Sequence, residues 1–172
     1  MTAANPLSTI IALALLLLPA AAPRALSTDG EQPILVEADS LEMRDAENIS
    51  IYEGNVSLVQ GSLKLNSERL VIHFNDDNEL VLIVMTGSPA RFRQLDDQRR
   101  EMLGQAMRIR YLEADSMLEL YESASFTHAG DHIESDRIHV NTRDNSIEAG
   151  GKQSDQRVKM LIQPRQDNGT TE

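Results

Sequence analysis

Apolar residues recur at every second position along most of this chain. The runs are Ile34/Val36/Ala38, Ile49/Ile51, Val56/Leu58, Leu63/Leu65, Leu70/Ile72/Phe74, Ala90/Phe92, Met107/Ile109/Tyr111, Ala124/Phe126, Ile138/Val140 and Val158/Met160/Ile162. A period of two belongs to extended segments with one buried face, so the pattern predicts strand after strand. Turn-forming residues break it at Asp45-Ala46-Glu47-Asn48, Gly61, Asn75-Asp76-Asp77-Asn78, Gly87-Ser88-Pro89, Gly130, Asp144-Asn145 and Gly150-Gly151. Connections this short imply antiparallel pairing, because parallel crossovers need about a dozen residues or more. Only Gln94 to Met102 and Leu112 to Leu120 could be helical. The first is charged throughout and reads as a solvated hairpin loop. The second reads as a turn at Glu113 to Ser116 followed by a strand from Met117 to Tyr121.

A second pattern is laid over the first. A small residue followed three and five positions later by apolar ones occurs as Ala38/Leu41/Met43, Ser67/Leu70/Ile72, Ala106/Ile109/Tyr111 and Ser135/Ile138/Val140, with gaps of 29, 39 and 29 residues. Ser67-Glu68-Arg69-Leu70 returns as Ser135-Asp136-Arg137-Ile138 at a shift of 68, whereas Tyr52-Glu53 and Gly61 return as Tyr121-Glu122 and Gly130 at 69. A one-residue deletion near Lys64 would reconcile the two shifts. Such repetition predicts stacked units, each covering its neighbour's apolar face. The small residue marks a corner where the sheet folds back and side chains crowd, and the longer middle gap makes room for the Gln94 to Met102 loop.

Ile10 to Leu18 is an unbroken apolar run followed by Pro19-Ala20-Ala21-Ala22, the layout of a secretory signal peptide. Nine residues fall short of the roughly 20 that span a bilayer. The expected division is a cleaved signal over 1–27, with Thr28 as the mature start, one β domain over 28–164, and a disordered tail over 165–172. The whole chain carries net charge −11, and losing Arg24 with the leader leaves 15 basic against 27 acidic residues. That balance argues against nucleic acid as a partner, which needs a basic stripe. With no cysteine, packing and backbone pairing alone must hold an exported fold together.

A search for chemistry yields little. His128 and His132 are four apart, but the Ala129-Gly130 turn between them removes the helix that would make this a metal-ligand spacing, so they read as surface histidines, as do His73 and His139. The Asn75-Asp76-Asp77-Asn78 turn lacks the twelve-residue calcium loop. No nucleophile elbow, phosphate-binding loop or dinucleotide fingerprint occurs. The expectation is no enzyme, no metal and no cofactor. Alternation leaves two readings of the apolar faces open: a closed sandwich whose core is full, or a trough left partly unfilled for an apolar guest.

The stretches Gln32-Pro33-Ile34-Leu35-Val36-Glu37-Ala38-Asp39 and Tyr52-Glu53-Gly54-Asn55-Val56-Ser57-Leu58-Val59-Gln60-Gly61-Ser62-Leu63-Lys64-Leu65-Asn66-Ser67-Glu68-Arg69-Leu70 resemble the OstA-like family of lipopolysaccharide-transport proteins. Gly87-Ser88-Pro89-Ala90-Arg91-Phe92 and Gly104-Gln105-Ala106 to Tyr111 resemble its later landmarks, while the second Gly-Asn-Val is reduced to Ser123-Ala124-Ser125. The resemblance implies an all-β fold: an antiparallel, slightly twisted jelly roll, open at both ends and built from two similar halves. It also implies a non-catalytic periplasmic carrier that holds the lipid A part of lipopolysaccharide and passes it from inner to outer membrane, powered by a partner. The implied partners are an LptC-like inner-membrane anchored protein, an LptD-like outer-membrane translocon and further copies joined head to tail.

By position, Ile34, Val36, Phe92, Ile109 and Tyr111 match lipid-lining positions, and Val56, Leu58, Leu63, Leu65, Leu118 and Phe126 join them by alternation. Ile34, Val36, Val158, Met160 and Ile162 would dock neighbours by strand addition. The alternatives are a membrane-anchored LptC-like component, a β-jelly-roll hydrolase or lyase using surface carboxylates, and a scaffold with a full core.

Overall fold

The computed structural model describes residues 29–96, 98–144, 146–151 and 157–164. The expected signal peptide and the tail beyond Pro164 lie outside them. After a 3₁₀ turn at Asp29–Glu31 come β1 (Leu35–Glu37), β2 (Ser40–Arg44), β3 (Ile49–Gln60), β4 (Leu63–Phe74), β5 (Leu80–Leu95), β6 (Glu101–Leu112), β7 (Met117–His128), β8 (Asp131–Asn141), β9 (Ile147–Ala149) and β10 (Lys159–Leu161). All pair antiparallel in one sheet in the order β1-β3-β4-β5-β6-β7-β8-β10, with β2 on β3 and β9 on β8. The loops at Asp96 to Arg100 and Glu113 to Ser116 are where the charge pattern put them.

A crease runs across every long strand. The ladder slips between Glu53 and Val56 in β3, Asn66 and Arg69 in β4, Thr86 and Ala90 in β5, Gln105 and Arg108 in β6, and Tyr121 and Ala124 in β7. Such bulges bend a sheet sharply. The anchors sit on this line: Val56 faces Ser67, Ala90 faces Ala106 and Ala124 faces Ser135, while Ala38 occupies the break between β1 and β2. Ala90 and Ala106 are wholly buried, because two folded-back layers leave room there for a methyl group and no more.

The crease divides the sheet into two facing arms. The first arm holds β1, β10 and the strand halves that end at the turns after Gln60, Leu95 and His128. The second holds β2, β9 and the halves that end at the turns after Arg44, Phe74, Leu112 and Asn141. One hydrophobic cluster fills the space between them, with Val56, Leu58, Phe92, Phe126 and Ile133 from the first arm and Leu70, Met85, Ile109, Leu120 and Ile138 from the second. Each such large side chain contributes about 1.5–3 kcal/mol by burial.

Three expectations are corrected. Gly87-Ser88-Pro89 is not a turn between strands but the crossing of the crease inside β5. Residues 35–74 and 103–142 are related by a uniform shift of 68, with no deletion near Lys64: Glu53↔Arg69 recurs as Tyr121↔Arg137, and Gln60↔Leu63 as His128↔Asp131. The backbone agrees, since the left-handed residues Asn48 (φ 53°), Gly54 (80°), Asn55 (46°) and Gly61 (58°) recur as Ser116 (51°), Glu122 (67°), Ser123 (56°) and Ala129 (53°). The true counterpart of Gly54-Asn55-Val56 is therefore Glu122-Ser123-Ala124, and the Tyr-Glu and glycine matches at 69 are coincidences of composition. Finally, the long middle gap owes much to β5 itself, 16 residues against 12 in β3 and β7, and only part to the charged loop.

Candidate functional site

Between the arms, away from the crease and toward their tips, the packing is incomplete. A cavity of about 210 Å³ is lined by Ile34, Leu58, Leu63, Leu65 and Phe92 on one side and by Ile72, Phe74, Leu80, Ile83, Met85, Ile109, Tyr111 and Leu118 on the other. Of the residues expected to line a lipid groove, Ile34, Leu58, Leu63, Leu65, Phe92, Ile109, Tyr111 and Leu118 meet here. Val56 and Phe126 lie in the packed core near and beside the crease, and Val36 packs against that core, half-buried. Sequence reasoning missed Ile72, Phe74, Leu80, Ile83 and Met85. Ile72 and Phe74 were visible in the alternation of β4, but a face pattern does not tell which of its members border empty space.

Polar groups stand only at the rim: Asp29, Gln60, Gln94 and Glu113. Burial, reinforced by the neighbouring Glu113 carboxylate, pushes the Tyr111 phenol up to about 12, so it stays neutral and presents an uncharged polar tip. Asp29 belongs to the segment before β1 and is buried. Its carboxylate accepts from the Ser62 backbone N–H at 2.9 Å and from the Ser62 hydroxyl, and the Gln60 amide donates to the Gln32 carbonyl at 3.2 Å. The segment before β1 is thereby latched to the β3–β4 turn at the mouth of the cavity. A side chain at Gly61, where φ is +58°, would collide with that carboxylate.

A second network ties two tips of the first arm together. Asp96 in the β5–β6 loop accepts from the backbone N–H groups of Gln98 and Arg100, from the Arg100 guanidinium and from His128 Nε2, all at 2.8 Å. Burial pushes its carboxyl up, but the hydrogen bonds from His128, Arg100 and Gln98 outweigh burial and hold it at about 2. His128 is thus a largely buried partner of Asp96, not the surface histidine expected, with side-chain exposure of 15%. His132 turns elsewhere, to the Thr127 hydroxyl. No group of metal-competent side chains occurs among the described residues.

Both ends of the sheet are open. At one, Ile34, Leu35, Leu41 and Met43 are exposed; at the other, Val158, Met160, Leu161 and Ile162 are. Of the residues expected at the docking edges, Val36 lies in β1 and Met160 in β10, with Ile34, Val158 and Ile162 beside those strands. No helix among the described residues is long and apolar enough to cross a membrane.

Fold and cavity define a class: open-ended antiparallel β jelly rolls, made of two similar halves, with an apolar interior and unpaired terminal strands. Residues 35–146 match the family described as LptA/(LptD N-terminal domain) LPS transport protein, and the chain belongs to that family. It is 28% identical over 148 residues to lipopolysaccharide export system protein LptH of Pseudomonas aeruginosa, covering 82% of this chain and 85% of the relative. It is 28% identical over 164 residues to lipopolysaccharide export system protein LptA of Escherichia coli K12, covering 94% and 88%. The crystal structure of the Pseudomonas aeruginosa LptH, the LptA-homologous periplasmic component of the lipopolysaccharide transport device, superposes with a TM-score of 0.72 at 28% identity over 80% of this chain and 99% of that one.

Proposed function

We propose that this protein is a non-catalytic periplasmic carrier and bridge for lipopolysaccharide, which shelters the acyl chains of lipid A between its arms on the way from the inner to the outer membrane. The observation that carries the reading is the cavity, whose wall is apolar to the rim. Each acyl methylene removed from water is worth about 0.8 kcal/mol, so a lipid with several chains needs such a wall to cross an aqueous space. At about 210 Å³ the cavity is smaller than the roughly 300–1,000 Å³ of ordinary ligand sites. Lipid entry therefore requires the arms to part at their tips, and with no cysteine in the chain no disulfide opposes that movement. The proposed partners are an LptC-like anchored protein at one end of the sheet, an LptD-like translocon at the other, and further copies between them, all docking by strand addition.

A photo-crosslinker placed at Phe92 or Tyr111 in cells is expected to capture lipopolysaccharide, while one at Val81 on the exposed face is not. Equal capture from all three positions would overturn the reading.

A further inference from the structure

The internal repeat carries information about a joint that one chain alone does not contain. Strand β6 corresponds at a shift of 68 to β1 and β2 together. Leu35↔Val59, Val36↔Leu58 and Glu37↔Ser57 recur as Leu103↔Thr127, Gly104↔Phe126 and Gln105↔Ser125, and Leu41↔Tyr52 recurs as Ile109↔Leu120. Strand β5 corresponds to β10 at the same shift of 68 and to β9 at a shift of 64. Lys64↔Arg93, Leu65↔Phe92 and Asn66↔Arg91 recur as His132↔Leu161, Ile133↔Met160 and Glu134↔Lys159. In the second arm, Leu70↔Met85 and Ile72↔Ile83 recur as Ile138↔Ala149 and Val140↔Ile147. The chain is thus two four-strand units in tandem, and the β5–β6 ladder is the joint between them. The outer edge of β10 and the outer edge of β1 are the two halves of the same joint, left open.

We infer that copies of this chain join in the register of the β5–β6 ladder, with Lys159 opposite Glu37, Met160 opposite Val36, Leu161 opposite Leu35 and Ile162 opposite Ile34. The inference rests on the head-to-tail reading above and specifies its contacts. It follows from transferring Arg91↔Gln105, Phe92↔Gly104, Arg93↔Leu103 and Gln94↔Met102 onto the terminal strands. Side-chain chemistry, which took no part in the transfer, agrees with it. The sole cation of β10, Lys159, meets the sole anion of β1, Glu37, and the exposed apolar residues Leu161 and Ile162 meet Leu35 and Ile34. Met160 pairs with buried Ile133, and Val36 packs on the core, so this face of the joint continues the apolar wall from copy to copy. In the second arm the same transfer sets Ile147 against Met43 and Ala149 against Leu41, apolar on apolar, and between them Glu148 against Glu42, whose charge is offset within its own strand by Arg44 at 2.7 Å. Lys159 is free to engage, since its only ion pair among the described residues is an exposed 3.7 Å contact with Glu134, worth little.

Because the chain has no cysteine, introduced pairs read the register directly. Val36 and Met160 lie at opposite ends of the sheet, seven strand spacings or about 34 Å apart, so any disulfide between them joins two molecules. Under mild oxidation V36C/M160C and I34C/I162C are expected to form ladders of covalent multimers, with I34C/M160C at least about tenfold slower, since paired positions alone meet disulfide geometry. Faster linkage of I34C/M160C, with the unmodified protein still self-associating, would overturn the register and leave head-to-tail assembly standing. No linkage of any pair, together with a monomer in sedimentation, would overturn both. Independently, K159E and E37K are each expected to weaken self-association severalfold and the double exchange to restore it. Additive losses would also overturn the pairing. Both positions are exposed, so folding is not at stake.

Discussion

At the scale of single residues, the crease explains choices that look arbitrary in the sequence. Gly54 suits its left-handed φ, and a side chain there would also strike Asp39, which accepts from Asn55 at 2.9 Å. Its counterpart Glu122 holds the same conformation without that excuse, bound among the described residues only by an exposed 3.5 Å contact to Arg108. Holding a non-glycine residue there costs on the order of 1 kcal/mol. Glu122→Gly should therefore raise stability by up to about 1 kcal/mol, whereas Gly54→Glu should lower it by more, as urea denaturation will show. The cavity allows a sharper experiment. Ile83→Phe adds volume to its wall, and cavity filling commonly stabilises by about 0.5–2 kcal/mol. A higher Tm with reduced lipopolysaccharide capture from Phe92 is the expected result for a groove. A higher Tm with unchanged capture would mark a mere packing defect.

Among the elements, the loops at the tips of the first arm are held by charge. Asp96 has a folded pKa near 2, below the ordinary 3.8, so the unfolded chain binds its proton first as the pH falls. Its stabilisation is complete above about pH 4 and is lost as the pH drops through 2. The shift corresponds to about 2 kcal/mol, and Asp96→Asn should cost about that at pH 7, the gap to the parent protein closing between pH 4 and 2 in a denaturation series. The strands themselves were legible from alternation because only one face of each is buried, as in Leu70, Ile72 and Phe74. The crease was half legible. Small residues such as Ala106 and Ser135 betrayed the crowding, but Gly87-Ser88-Pro89 looked like a hairpin, because glycine and proline serve a bulge within a strand as well as a turn between strands. The pairing of His128 with Asp96 was not legible at all, since it joins loops 32 residues apart that meet only when the arm is assembled.

For the molecule as a whole, charge and edges oppose each other. The chain carries net charge −11, so copies approaching end to end repel, while their exposed apolar strands attract. Raising the salt from 10 to 150 mM shortens the screening length from about 30 to about 8 Å and should strengthen self-association in sedimentation. The joint's single opposite-charge pair pulls the other way, but an exposed pair is worth at most about 1 kcal/mol. Met160→Lys should abolish assembly at every salt concentration, since it sets a cation in the apolar seam at little cost to a monomer in which Met160 is 54% exposed. The two similar halves and their offset of 68 were visible in the four anchors, but its extension through Tyr52 to Gly61 was not, because chance identities at 69 competed there with a geometry repeating at 68.

The terminal strands have one further consequence. Inside the chain the unit-to-unit seam is made by β5 and β6, each continuous across the crease, whereas at the ends the same seam falls to pairs of short strands, β1 with β2 and β9 with β10, each pair broken at the crease. Two short ladders side by side resist shear far less than one long one. A string of such molecules would be stiff within each link and compliant between links, an articulated conduit that follows a changing distance between two surfaces without opening its lining to water.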